Sequence, residues 1–274
     1  MKTITKRLFL IITMFILFST LFCETIAEVP TNYNDDNAGT AENPFLISNL
    51  SNLRWLSENE EYWGFPTYEK PEITRYFFLQ TADIDAFATR EWNEGKGFSV
   101  IGHHNYYQAL YTDRPFCGVY DGANYTITDL FIATLVYRTS SYGMFSYTEE
   151  AIIKNLHLQN LHINIKESIN AVGGLVGRIG RNSSIINCST TGNINVIVDR
   201  PFLSSLGGLV GSSMLSTIEN CFSKVHFDVD LQYVDFLWTT IGIAGLVGSL
   251  GYSTLKNSFF IGSLPIDEDT VVET

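Results

Sequence analysis

Three segments of this chain repeat one core. "GGLVGRIGRNSSIINC" runs from Gly173 to Cys188, "GGLVGSSMLSTIENC" ends at Cys221, and "AGLVGSLGYSTLKNS" ends at Ser258. Aligning the glycine before each Leu-Val pair gives Gly174, Gly208 and Gly245, spaced 34 and 37 residues apart. A degenerate earlier copy, "YGMFS" at Gly143, lies 31 residues upstream. An Asn follows each glycine after 12 or 13 residues, at Asn155, Asn187, Asn220 and Asn257. A constant core with spacers of variable length is what stacked coils with variable loops produce. Each unit reads as three strands, for example "GGLVGRI", "SIINCST" and "INVIV". No unit could bury its apolar positions alone, so the units must stack. The recurring motif is therefore an architectural module, since a ligand loop is needed only once.

The repeated residues then have physical jobs. Gly174, Gly177, Gly208, Gly211, Gly245 and Gly248 bracket a two-residue apolar stretch that must pass close to the neighbouring coil. Glycine permits positive φ and close backbone approach, at a local cost of about 0.5–1 kcal/mol relative to Ala. The four asparagines are expected to stack as a side-chain amide ladder at the bends. Cys188 and Cys221 directly follow two of them, with Leu156 and Ser258 at the same place in the flanking copies. Strands in register lie about 4.8 Å apart, within disulfide reach. Parallel side chains point the same way, however, and the required torsion near 90° is hard to attain. The two thiols are therefore expected to be adjacent, buried and reduced, with Cys117 pairing with neither.

Upstream, "NPFLIS" reads as a short strand. "SNLSNLRWLSENEEY" reads as a helix with Ser48 or Asn49 as N-cap and Leu50, Leu53 and Leu56 on one stripe. "RYFFLQTADID", "FSVIG" and "PFCGVYDG" supply further strands, with Asp83, Asp85 and Asp121 as turn residues. Lys2, Lys6 and Arg7 precede an apolar run of 16 residues, Leu8–Cys23, and Thr25 and Ala27 suit A-x-A-type cleavage. That run spans about 24 Å of helix, less than the ~30 Å hydrocarbon core, so an export signal is expected rather than an anchor. The expected division is a signal at 1–27, a flexible leader at 28–42, an N-terminal cap and first coils at 43–140, repeat coils at 141–266 and an acidic tail at 267–274.

Without residues 1–27 the chain carries 28 acidic against 14 basic residues. A field of that sign repels phosphate backbones, and no polybasic run could hold an anionic membrane. Nucleic acid is thereby excluded as a partner, and membrane contact is expected only during export. Cys117, Cys188 and Cys221 are too few for a disulfide scaffold. No C-x-x-C or His/Cys cluster suggests a metal, and no other cofactor is expected.

The three "GLVG" cores resemble the GLUG repeat, named for Gly-Leu-hydrophobic-Gly, of bacterial surface and secreted proteins. "GTAENPFLISNLSNLRWLSE" is similar to the lead-in of such proteins, and "YFFLQTADID", "VIG" and "PFCGVYDGANYTITDL" to their first coils, so the resemblance covers residues 39–264. It implies an all-β fold, a right-handed parallel β-helix or β-solenoid built from GLUG repeats, with a short N-terminal capping helix. The copy at Gly143 departs from the pattern in having Ser146 in place of the second glycine. Members of the family include adhesin-like proteins and regions attached to large peptidases, so the resemblance speaks to architecture more than to chemistry.

The chemical readings are then weighed in turn. "GGLVGRIGRNSS" lacks the Lys of a phosphate-binding loop, and strands rather than a helix follow it. No H-E-x-x-H occurs among His103, His104, His157, His162 and His226. His103 and His104 read as solvated, His157 and His162 as outward strand positions. Polysaccharide cleavage would need acidic groups converging from successive coils. Instead, Lys154 and Lys256 share one repeat position with Ile186 and Glu219 between them, while Asp228 and Asp230 find no acidic partners at equivalent positions. The longest spacer, "DLQYVDFLWTTIG", carries Tyr233, Asp235, Phe236 and Trp238, which form either a binding platform or a cap on the last coil. The expected function is an exported, non-catalytic β-solenoid for surface display, adhesion or binding of an extracellular glycan or protein, whether secreted, periplasmic or at the cell surface. The rivals are a carbohydrate-active β-helix enzyme, a lyase or hydrolase, and a scaffold fragment of a larger surface protein.

Overall fold

The structure, a computed structural model, describes residues 25–65, 72–104, 113–134, 139–166, 169–198, 203–231 and 242–264. The signal at 1–24, the platform residues Tyr233, Asp235, Phe236 and Trp238, and the acidic tail lie outside the described residues. The described chain is all-β with few helical residues. At its N-terminal end come β1 (Phe45–Ile47), helix α1 (Leu50–Glu58), β2 (Phe77–Gln80), β3 (Ile84–Asp85), β4 (Val119–Asp121), β5 (Thr126–Thr128) and β6 (Phe131–Ala133). Four successive four-strand units follow. The first is β7 (Ser141–Tyr142), β8 (Phe145–Thr148), β9 (Ile152–Lys154) and β10 (His157–Ile165). The second is β11 (Ile169–Gly173), β12 (Val176–Ile179), β13 (Ser184–Ile186) and β14 (Ser189–Val198). The third is β15 (Leu203–Gly207), β16 (Val210–Met214), β17 (Thr217–Glu219) and β18 (Phe222–Leu231). The last is β19 (Gly242–Ala244), β20 (Val247–Gly251), β21 (Thr254–Lys256) and β22 (Phe259–Phe260).

Each strand pairs in parallel with its counterpart one unit later, which makes four parallel sheets. Two sheets have seven strands, in the orders β1-β2-β4-β9-β13-β17-β21 and β22-β18-β14-β10-β5-β3; β6 also pairs with β10. The other two are β19-β15-β11-β7 and β20-β16-β12-β8. The register follows the repeat: Ile153, Ile185 and Ile218 form one inner column, each fully buried. Val172 with Leu206 and Val176 with Val210 do the same in their sheets. An inner Leu or Ile is thus covered above and below by its own kind, worth about 1.5–3 kcal/mol per side chain.

The unit has four strands, not three. "GGLVGRI" breaks after Gly173, and "SIINCST" bends at Asn187, whose φ is 53°. The expected third strand is continuous with Ser189 in the ten-residue β14. The flexible leader is also overturned. Asn32 is buried; its amide donates to Asn43 Oδ1 and the Pro44 carbonyl, both at 2.9 Å, while its Oδ1 accepts the Leu46 N–H at 3.1 Å. Tyr33 stacks on Phe45 with centroids 5.9 Å apart. Helix α1 begins as read: Asn49 Oδ1 caps the Asn52 N–H at 2.9 Å, and Leu53 and Leu56 are fully buried. Trp55 lies edge-on to Phe45 at 5.4 Å, which fastens the helix to β1.

Candidate functional site

The repeat residues are consumed by the stack. At Gly174 an added Cβ would lie 2.4 Å from the Gly208 carbonyl; at Gly211, 2.5 Å from the Gly177 carbonyl; at Gly248, 2.6 Å from the Leu206 nitrogen. None of the six repeat glycines has a left-handed φ, so space rather than conformational freedom requires glycine there. The left-handed positions belong to the asparagines: Asn155, Asn187, Asn220 and Asn257 have φ between 47° and 55°. This turns each N–H along the stack, where Asn155, Asn187 and Asn220 donate to Ile186, Glu219 and Lys256. Asn is the residue that best tolerates that backbone after glycine. Asn187 Nδ2 donates to Asn155 Oδ1 at 2.8 Å, and Asn155 Nδ2 donates to Asp121 Oδ1 at 2.9 Å.

Asp121 closes this ladder and pairs with Lys154 at 3.1 Å. Partial burial pushes its pKa up, but the Asn155 amide, the Ala123 N–H and the Lys154 ammonium outweigh that and hold it below the usual carboxylate value. The register column runs Asp121, Lys154, Ile186, Glu219, Lys256, so its charges alternate instead of converging. Asp228 and Asp230 lie opposite Asn195 and Ile197. Cys117, Cys188 and Cys221 are free and buried. Cys188 and Cys221 are neighbours, with the Cys188 N–H 3.4 Å from Cys221 Sγ. Burial pushes Cys188 up, and burial with the charges of Glu149 and Glu150 pushes Cys117 to about 12.

A candidate binding site lies at the N-terminal end, where the repeat has no say. A cleft of about 400 Å³ is lined by Ser57, Glu58, Glu60 and Trp63 on one side and by Asn93, Glu94, Lys96, Ser99, Val100 and His103 on the other. The first wall is the end of α1 and the 3₁₀ turn Glu60–Trp63; Trp63 is fixed by its indole N–H to the Leu56 carbonyl at 2.9 Å. The second wall is a tight turn in which both Asn93 and Glu94 are left-handed, at φ 53° and 60°. Asn93 Nδ2 holds that turn through the Gly97 carbonyl at 2.7 Å and Ser99 Oγ at 3.2 Å. Strained backbone of this kind clusters at ligand sites. Glu60 bridges the walls, 3.5 Å from His103 Nε2 and 3.9 Å from Arg114 Nε. His103 Nδ1 is buried without a hydrogen-bond partner.

His103 and His104 are thus not solvated as expected. His104 Nδ1 lies 2.9 Å from Asp113 Oδ2 and its Nε2 lies 3.0 Å from Arg178, over the ring of Tyr147. His157 Nδ1 meets Ser189 Oγ at 2.9 Å, and burial lowers the pKa of both His157 and His162. Carboxylates, a Lys, an imidazole and hydroxyls around one apolar wall can exchange hydrogen bonds with a polyhydroxylated ligand. No sequence signal pointed to this cleft, because its walls come from two segments without shared spacing. Among the described residues no group of three or more His, Cys, Asp or Glu could hold a metal ion. No helix among them is long and apolar enough to cross a membrane.

A family model of the GLUG motif matches residues 168–195, the span of β11 to the middle of β14. The chain carries the GLUG motif. Outside it, the chain is 30% identical over 149 residues to halomucin from Haloquadratum walsbyi, a match that covers 54% of this chain and 2% of halomucin. A crystal structure of a candidate immunoglobulin A1 protease from Bacteroides ovatus superposes with a TM-score of 0.47 at 15% identity, covering 86% of this chain and 81% of that one.

Proposed function

We propose that this GLUG-motif chain is an exported, non-catalytic, right-handed parallel β-solenoid that serves surface display or adhesion by binding an extracellular glycan or protein. The observation that carries this reading is the use made of the repeat: its asparagines and glycines are occupied by contacts between coils. What is left for recognition is whatever interrupts the repeat, above all the cleft between α1 and the Asn93–Glu94 turn. The similarity to halomucin, a mucin by name, supports an extracellular setting. The test is an array of glycans and extracellular-matrix proteins probed with the chain, with each polysaccharide also assayed for new reducing ends or unsaturated products. Saturable binding without products supports the reading; cleavage of any polysaccharide overturns it. The cleft also favours a second reading, a polysaccharide-cleaving site, because it gathers Glu58, Glu60, Glu94 and His103. Loss of the cleavage products in Glu60→Gln would establish that alternative.

A further inference from the structure

The two ends of the stack are built differently. At the N-terminal end the outer edges are covered. Asn32 takes the Leu46 N–H of β1, and β8 is bridged in parallel by Ile101 to Phe145 and Phe116 to Thr148. At the other end β19, β20, β21 and β22 are each the last strand of their sheet. No described residue pairs with their outer edges, which leaves four unpaired backbone edges in one plane.

The inner columns stop there uncovered. Leu250 is 45% exposed and Leu255 41%, whereas the equivalent residues one coil earlier, Ser213 and Ile218, are 2% and 0% exposed. Ile243, Val247 and Phe260 are half-buried where Leu206, Val210 and Ser223 are fully buried. Tyr252, 89% exposed at the adjacent bend, and Ile261 at 50% extend the same apolar surface. A patch on the order of several hundred Å² marks an interaction site on a soluble protein.

Composition says the same. Residues 242–264 contain a single charged side chain, Lys256, in a chain that is 17% charged. Depletion of charge with exposed aromatics is the signature of an interface core. A head-to-tail contact would bring this face against the covered N-terminal edges, which have no strand edge to offer. A two-fold contact brings it against its own copy, where apolar columns and unpaired edges meet their equals and the assembly closes.

We propose that the face formed by β19–β22 is a self-association surface, through which two copies of this chain dimerise end to end. The full chain, examined by sedimentation across a hundred-fold concentration range, is then a monomer–dimer system with no larger species. Tyr252→Lys and Leu255→Lys each weaken association by about 30-fold or more, the loss expected at a hot spot. Tyr252 is exposed, so its variant keeps the far-UV spectrum and melting temperature of the parent and separates loss of contact from loss of fold. A monomer at the highest concentration overturns the proposal. So does a dimer that both variants leave intact, or a series of species growing with concentration. If the full chain is monomeric and a variant ending at Leu264 is dimeric, residues 265–274 cover the face instead, and the proposal falls.

Discussion

Gly208 is the position at which the stacking account is most exposed to test. An alanine Cβ there would lie 2.1 Å from Ser223 Oγ and 2.3 Å from the Gly245 carbonyl oxygen. An unstrained contact between heavy atoms needs about 3.5–4.0 Å. The Ser223 hydroxyl can rotate, at the expense of its 3.3 Å contact with Thr190 Oγ1. The Gly245 carbonyl cannot, because it accepts the Gly208 N–H at 3.2 Å. Relief therefore requires the third and fourth coils to part locally by about 1 Å. That takes the Gly208–Gly245 bond and the 3.0 Å Leu209–Leu246 bond beyond hydrogen-bonding range. Two backbone hydrogen bonds at about 1 kcal/mol each and overpacking of about 1–3 kcal/mol give about 3–5 kcal/mol for Gly208→Ala, and more for Gly208→Val. Ser204→Val, at an exposed strand position one turn of chain away, is expected within about 0.5 kcal/mol of the parent. Urea denaturation followed by far-UV circular dichroism measures both. Hydrogen exchange is run beside it, because a stack can open from one end. A Gly208→Ala variant within about 0.5 kcal/mol of the parent refutes the close approach of the coils.

Three further outcomes follow from the same geometry. Asn187→Gly keeps the left-handed bend and loses only the amide bond to Asn155, whereas Asn187→Ala loses both. The first is expected to destabilise by about 1 kcal/mol and the second by about 1–2 kcal/mol more, read from urea midpoints; equal effects would mean that the backbone conformation is unimportant. Cys117, Cys188 and Cys221 should resist iodoacetamide in the folded chain and react after unfolding. Because the folded Cys117 value is raised, its contribution is complete below the unfolded thiol value of about 8.5 and is lost as pH rises towards about 12. Alkaline destabilisation should therefore be shallower in Cys117→Ala, and an unchanged slope would count against its burial. Asp121 is shifted the other way, so its contribution is present above about pH 4 and disappears as pH falls through its lowered folded value. Asp121→Asn should flatten acid unfolding in that range, and an unaltered acid limb would remove Asp121 from the ladder.

How much of this was legible in the sequence depends on where each constraint acts. The stacking columns were readable because Gly174, Gly208 and Gly245, and the asparagines after them, meet the same neighbours at one repeat spacing. The number of strands was not, because the break at Gly173 and the bend at Asn187 interrupt runs whose composition stays strand-like throughout. The leader was misread for a different reason. Asn32 is a polar residue in an aperiodic segment, yet one side-chain amide ties that segment to Asn43, Pro44 and Leu46. The cleft left no pattern at all, since Glu60 and His103 meet only once α1 has docked on β1.

The central claim is that the repeat builds the stack and that recognition belongs to what interrupts it. Its most direct test takes the ligand found on the array and measures, side by side, affinity and urea midpoint for Asn187→Gly and His103→Ala. The account predicts that Asn187→Gly lowers the midpoint with affinity unchanged, and that His103→Ala lowers affinity about ten-fold or more, a loss of about 1.4 kcal/mol, with the midpoint unchanged. Binding lost in Asn187→Gly under conditions where it remains folded, and retained in His103→Ala, would contradict it.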